Sequence, residues 1–96
     1  MQNEIKTFLD SEGRLTQFPA KRKKKIITLF YLAEKIEANR QYSEKEMNEL
    51  LCLWHTFSDP ATLRRELFDY GFITRSRDGR IYELSDPQPT REELIP

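Results

Sequence analysis

The chain has 96 residues, 33% of them charged and 38% hydrophobic, with 16 Lys and Arg against 16 Asp and Glu and a pI near 6.6. One domain of this size buries roughly 60–65% of the surface of its unfolded chain, which leaves little room for a deep catalytic cleft. The apolar content excludes wholesale disorder, and the neutral balance counts against a dedicated nucleic-acid binder, since such domains often sit above about pI 9.

The charge is uneven. Residues 1–50 carry 10 Lys and Arg against 8 Asp and Glu, and residues 51–96 carry 6 against 8. A single cysteine, Cys52, excludes an internal disulfide and a thiolate zinc cluster. It sits among Leu50, Leu51, Leu53 and Trp54, so an inert core thiol is expected. Met1-Gln2-Asn3-Glu4 lacks the basic start and apolar run of a secretion signal. No apolar stretch approaches the ~20 residues of a membrane span. The expectation is a cytoplasmic protein with no membrane partner.

In chain order, Asn3 caps a short helix with Ile5, Phe8 and Leu9 on its apolar face. Ser11-Glu12-Gly13 ends it, and Leu15 to Phe18 reads as a short extended segment closed by Pro19. A helix is predicted over 20–38, with Ile26, Leu29, Phe30, Ala33 and Ile36 as one stripe. Gln41-Tyr42 is a link that could form one strand pair. Ser43 and Glu46 form a capping box that opens a helix over 43–55, with Met47, Leu50, Leu51 and Trp54 inward. Thr56 to Ser58 is a turn. Asp59 at the N-cap and Pro60 at the first helical position open a helix over 59–70, with Leu63, Leu67 and Tyr70 buried. Gly71 sits where the chain must leave that helix at positive φ. Two strands follow, 72–75 and 81–84, around the turn signal Asp78-Gly79. Residues 85–96 hold three of the five prolines and read as a tail with one helical turn at 90–94.

This order predicts an α+β, mainly α fold: a winged helix-turn-helix with an added N-terminal helix, spanning residues 1–84 and followed by the tail. The hairpin at 72–84 is the wing. The sequence also resembles a known bacterial family. The blocks that carry the resemblance are Phe8-Leu9-Asp10 through Gly13-Arg14-Leu15, Gln17-Phe18-Pro19-Ala20-Lys21-Arg22-Lys23-Lys24-Lys25, and Tyr42-Ser43-Glu44-Lys45-Glu46. Leu63-Arg64-Arg65-Glu66-Leu67, Asp69-Tyr70-Gly71-Phe72 and Arg75-Ser76-Arg77-Asp78-Gly79-Arg80 complete it. The family is labelled domain of unknown function 2087, and the match covers about residues 5–84. Its members are often described as transcriptional regulators, some fused to another helix-turn-helix domain. The resemblance implies a fold and a regulatory context, with no established activity and no assigned site residues.

Three groups of cations are the candidate DNA contacts. The first is the run Lys21, Arg22, Lys23, Lys24 and Lys25. It opens a helix where the macrodipole is already positive, at a typical cost of a few tenths to about 1 kcal/mol per charge. Like charges at Lys21 and Lys25 add a similar penalty. Such a run suits phosphate contact, and five neutralised phosphates would give a salt slope near about −4.5. The alternative is a solvated helix end offset by nearby glutamates.

The second group lies on the candidate recognition helix. Thr62, Arg65, Glu66 and Asp69 point outward, with Arg64 at the boundary. Arg65 has the chemistry to pair with guanine in the major groove. The alternative is a surface pair between Arg65 and Asp69, and the two acids would repel phosphate. Arg75, Arg77 and Arg80 form the third group, at the hairpin. They suit a narrow minor groove or, equally, protection of a strand edge.

Trp54, Phe30, Phe68, Phe72 and Tyr82 are read as core, and His55 as a surface residue at a helix end. No glycine-rich phosphate loop, nucleophile elbow, carboxylate pair or metal-ligand spacing is present, so neither an enzyme nor a cofactor is expected. The functional expectation is a DNA-binding regulator module. A protein-interaction or homodimerisation module is the alternative, motivated by the neutral pI, the acids on the recognition helix and the apolar Leu94 and Ile95 in the tail.

Overall fold

In the computed structural model, which describes residues 2–95, a 3-10 helix (Gln2–Phe8) leads into α1 (Arg22–Ala33), β1 (Tyr42–Ser43), α2 (Glu44–Cys52) and α3 (Pro60–Asp69). The hairpin β2 (Ile73–Arg75) and β3 (Ile81–Leu84) follows, then a single turn, α4 (Arg91–Leu94). The architecture is α+β, with a three-stranded antiparallel sheet of order β1-β3-β2. Among the described residues, no helix is long and apolar enough to cross a membrane.

Local signals explain most boundaries. Ser43 Oγ accepts from the Glu46 amide at 3.1 Å while Glu46 Oε1 accepts from the Ser43 amide at 2.8 Å, so the capping box is complete in both directions. Asp59 caps α3 by accepting from the Thr62 amide, and Pro60 occupies its first turn, where no amide donor is needed. Thr90 and Glu93 build a second capping box at α4. Tyr42 pairs with Tyr82 and Ser43 with Ile81, which adds β1 to the hairpin as a third strand. The hairpin itself is in register Ile73–Leu84, Thr74–Glu83 and Arg75–Tyr82.

The helix expected over 20–38 is shorter. Lys21 stands at its N-cap and has no side-chain acceptor to offer. After Ala33 the chain tightens into i→i−3 bonds, Lys35 N to Leu32 O and Ile36 N to Ala33 O. Asn39 then turns it at φ 61°. The helix expected over 43–55 likewise ends at Cys52.

α1 is buried on two sides. Leu29, Leu32 and Ala33 join the main core with Met47, Leu51, Leu63, Leu67, Phe72 and Tyr82. Ile27 and Tyr31, one turn apart, form a second cluster with Ile5 of the 3-10 helix, and Ile95 of the tail packs against it. One stripe was expected, because the second face has no partner until the arm folds back over it. Tyr31 Oη donates to the Gly13 carbonyl at 2.7 Å. Gly13 sits at φ +78°, and a Cβ there would meet that hydroxyl at 2.9 Å, so both backbone and packing require glycine.

Leu15 ties the arm to the α2–α3 connection. It is fully buried, its amide donates to Trp54 O, and its carbonyl accepts from the Thr56 amide. The extended segment expected at 15–18 is thus a bridge centred on Leu15, antiparallel to Leu9 and parallel to His55. The tail is also tied down. Gln88 donates to Phe72 O and Ser85 O, Arg91 pairs with Glu4 at 3.3 Å, and Leu94 packs against the main core.

Gly71 ends α3 at φ +86°, and a Cβ at this position would have nothing within 4 Å, so a side chain there would meet backbone strain alone. Gly71→Ala is expected to cost roughly 1–2 kcal/mol, the penalty of left-handed backbone for an L residue. The shift in Tm is about 4–8 °C per kcal/mol for a domain of this size. Gly71→Asn should lose less, since asparagine tolerates this region. Thermal unfolding followed by circular dichroism checks both.

Candidate functional site

Leu63 and Leu67 of α3 are fully buried, which sets the rotational phase of the helix. Residues two apart on a helix lie about 200° apart around its axis. Arg64 and Phe68 therefore lie on one flank of α3, and Glu66 and Tyr70 on the opposite flank. Arg65 lies between them on the outward side, exposed.

The first flank faces the hairpin across a cleft of about 370 Å³. Arg64, Arg65 and Arg75 line it, with Phe68, Tyr82 and Asp69. The Arg64 guanidinium is held from three sides. It donates to Asn48 Oδ1, lies 3.4 Å from Glu44 Oε1, and stands 5.7 Å from the Tyr82 ring centre. Its side chain is only 17% exposed. Arg64 thus clamps α2 to α3 while turning one side toward the cleft. Arg75 crosses from β2 and stands 4.6 Å over the ring of Phe68. Phe68, read as core from the sequence, is 36% exposed and forms a wall of the cleft.

On the opposite flank, Lys25 reaches Glu66 at 3.7 Å and stands over Phe18, and Arg22 stands over Tyr70. Arg22 also donates to the Leu94 carbonyl at 2.6 Å, and Lys24 stands over Phe8. Three cations of the run are therefore engaged with their own chain. Lys21 and Lys23 are exposed and form no ion pair among the described residues. The alternative surface pair of Arg65 and Asp69 is not formed, and Glu66 is turned toward α1 instead of the outward face.

At the hairpin tip, Asp78 Oδ1 accepts from Ser76 Oγ at 2.6 Å and from the Arg80 amide at 3.0 Å. Gly79 carries the positive φ of 76°. Arg77 is exposed and makes no ion pair among the described residues, while Arg80 lies 3.9 Å from Asp78. Thr62, half-buried in the first turn of α3, serves the Asp59 cap through its amide. The structure thus gathers Arg64, Arg65 and Arg75 at one cleft. Arg77 and Arg80 extend beyond it on the same hairpin, and the basic run lies on the far flank of α3.

The end of α2 departs from expectation. Cys52 is exposed, because it lies one residue past buried Leu51 and so about 100° around α2. His55 is buried at 4% exposure. Its Nε2 accepts from the Asp59 amide at 2.9 Å, so Nδ1 carries the proton donated to Leu51 O at 2.7 Å. The histidine spans the ends of α2 and α3. The connection between them runs over residues 53–59, with Ser58 at φ 54°, and is longer than the expected tight turn.

A sequence family described as "Uncharacterized protein conserved in bacteria (DUF2087)" matches residues 14–84. The chain belongs to this family. The DUF2087 span takes in α1, the sheet, α2 and α3, and with them every cation of the cleft and the hairpin. It starts at Arg14, so the block Phe8-Leu9-Asp10 lies outside it. No curated protein and no solved structure matches the chain.

The cap of α3 makes stability depend on acid. Thr62, through its side chain and its amide, holds the Asp59 carboxyl below its ordinary 3.8, with a smaller contribution from the Arg65 charge. Ser43 does the same for Glu46 at the start of α2. A lowered folded value means stability that is present above the ordinary value and is lost as pH falls through the folded value. Melting temperature should therefore fall as pH drops below about 4. Asp59→Asn keeps a capping acceptor but removes one titration. Its melting temperature, followed by circular dichroism from neutral pH downward, should fall less steeply than the parent's.

Proposed function

We propose that this chain is a winged-helix regulator module that binds duplex DNA through α3 and the β2–β3 hairpin. The observation that carries this reading is the convergence of Arg64, Arg65 and Arg75 at the cleft between α3 and the hairpin, with Arg77 and Arg80 beyond it. α3 follows α2 and precedes the hairpin, the order in which a recognition helix is followed by a wing. Its outward residue, Arg65, would meet base edges in the major groove. The tip at residues 76–80 would reach an adjacent groove, where arginine is favoured by a narrow, negative surface.

Two features of the charge pattern support this orientation. Cations stand on both flanks of α3, Lys25 on one and the cleft arginines on the other. Glu66, which would repel phosphate if it faced outward, is paired with Lys25. Asp69 remains on the cleft wall as the one opposing charge. The basic run takes a smaller part in this reading than composition suggests, since Arg22, Lys24 and Lys25 have partners within the chain and Lys21 and Lys23 are left to touch backbone.

A second reading is a protein-interaction module. It draws on Leu53, 68% exposed beside exposed Cys52 at the end of α2. The tail offers it less support, because Leu94 and Ile95 pack against their own chain.

Fluorescence anisotropy with a random-sequence duplex separates the two. Contact by Lys21, Lys23, Arg75, Arg77 and Arg80 neutralises five phosphates, for a salt slope of about −4.5 and a loss of about 500-fold between about 50 and 200 mM salt. Arg75→Gln should reduce the slope by about 0.9 without unfolding the chain. Absence of binding at low salt, or binding indifferent to salt, would remove the DNA reading.

A further inference from the structure

The cleft between α3 and the hairpin has features that a phosphate-tracking surface does not need. It encloses about 370 Å³, within the range of small-molecule sites. One of its three guanidiniums is held in place before any ligand arrives, and a second rests on an aromatic ring. Arg64 is fixed by Asn48 and Glu44, and Arg75 lies over Phe68. Side chains already held lose less freedom on binding, so their hydrogen bonds yield more affinity.

The charge of the cleft also favours an anion. Three arginines stand against Asp69 in the lining, and Glu44, 3.4 Å from Arg64, offsets a second of them, so the local charge stays positive at about +1. A terminal phosphate monoester carries close to two negative charges at neutral pH, against one for a backbone phosphodiester, so it gains more from each guanidinium it meets. Forked guanidiniums bind such oxygens in pairs. The volume exceeds what a bare phosphoryl group fills, and Phe68, 36% exposed in the lining, offers apolar surface to an organic group.

We propose that this cleft binds a small organic phosphate monoester, with Arg64, Arg65 and Arg75 on the phosphoryl group and Phe68 beside its organic part. This goes beyond duplex binding and does not require it. Where the duplex reading also holds, ligand and duplex exclude each other, since both use Arg65 and Arg75. The shared chemistry is a phosphoryl oxygen on a guanidinium, and its source is either a free monoester or a nucleic-acid backbone.

The test is a nuclear magnetic resonance titration of the full chain, reading the arginine side-chain N–H signals at constant ionic strength. The probes are inorganic phosphate, adenosine monophosphate and adenosine. Saturable shifts at Arg64, Arg65 and Arg75 are expected with the first two and none with adenosine, the monophosphate binding more tightly than phosphate. Arg65→Gln and Arg75→Gln, both exposed positions, should each weaken adenosine monophosphate roughly tenfold. The double variant Lys21→Gln and Lys23→Gln should leave it unchanged. Shifts that fail to saturate, or that extend equally to Lys21 and Lys23, overturn the site. So do equal responses to adenosine and its monophosphate. A duplex arm separates the sources. A chain that binds duplex but shows no saturable response to the monophosphate uses the cleft for backbone alone, which overturns the ligand site. A chain that binds the monophosphate and not the duplex keeps the ligand site and removes the DNA reading.

Discussion

The burial of Leu63 and Leu67 against the main core is the constraint on which the rest of the surface depends. These two side chains, four residues apart, point the same way. Between them they set which residues of α3 face out and which face the neighbours on either side. A rotation of one residue, about 100°, would drive Arg64 into the core and take Phe68 away from the hairpin. Burying an unpaired guanidinium costs far more than burying a leucine gains, so this phase is strongly preferred. The ends of the helix agree with it. Asp59 and Pro60 begin it, and Gly71 releases the chain in time for Phe72 and Ile73 to enter the core.

The connection before α3 holds that helix against α2 by polar means. His55 is buried, and both of its ring nitrogens are used, one toward the last turn of α2 and one toward the cap of α3. Leu15 adds backbone bonds on either side of His55, from the residues on both sides of it in the chain. Every buried polar side-chain atom among the described residues has a partner. A connection longer than a tight turn would ordinarily let two helices drift. Here Trp54 O and the Thr56 amide are paired with Leu15 of the arm, which holds α2 and α3 in one relative orientation, and the Arg64 clamp to Asn48 and Glu44 fixes it from the other end.

Most of the fold was legible because its signals are local. The Ser43–Glu46 capping box, the Asp59-Pro60 start, the Gly71 stop and the Asp78-Gly79 tip each depend on residues within a few positions of one another. What escaped was set by distant residues. The second apolar face of α1 is intelligible only once Ile5 and Ile95 fold onto Ile27 and Tyr31. His55 and Cys52 lie near the end of α2, and their exposure is decided by the phase of that helix and by Leu15. The individual cations of the site were legible by type, but their partners were not. Lys25 finds Glu66 and Arg64 finds Asn48 across gaps of 41 and 16 residues, so no spacing rule links them.

The neutral total charge takes on a different meaning once these pairs are known. Many of the anions are consumed inside the chain: Glu44 on Arg64, Glu66 on Lys25, Glu4 on Arg91, Asp10 and Glu12 on Arg14, and Glu37 and Glu46 on Arg40. Arg65, Arg75 and Arg77 have no ion pair among the described residues, and two of them line one concavity. A neutral protein can therefore present a cationic site without a cationic surface. Distant exposed charges are screened beyond about 8 Å at physiological salt, whereas charges converging in a partly enclosed cleft are screened much less. Affinity for an anion then follows from the guanidiniums within reach of the cleft, and the pI of the whole chain has little bearing on it.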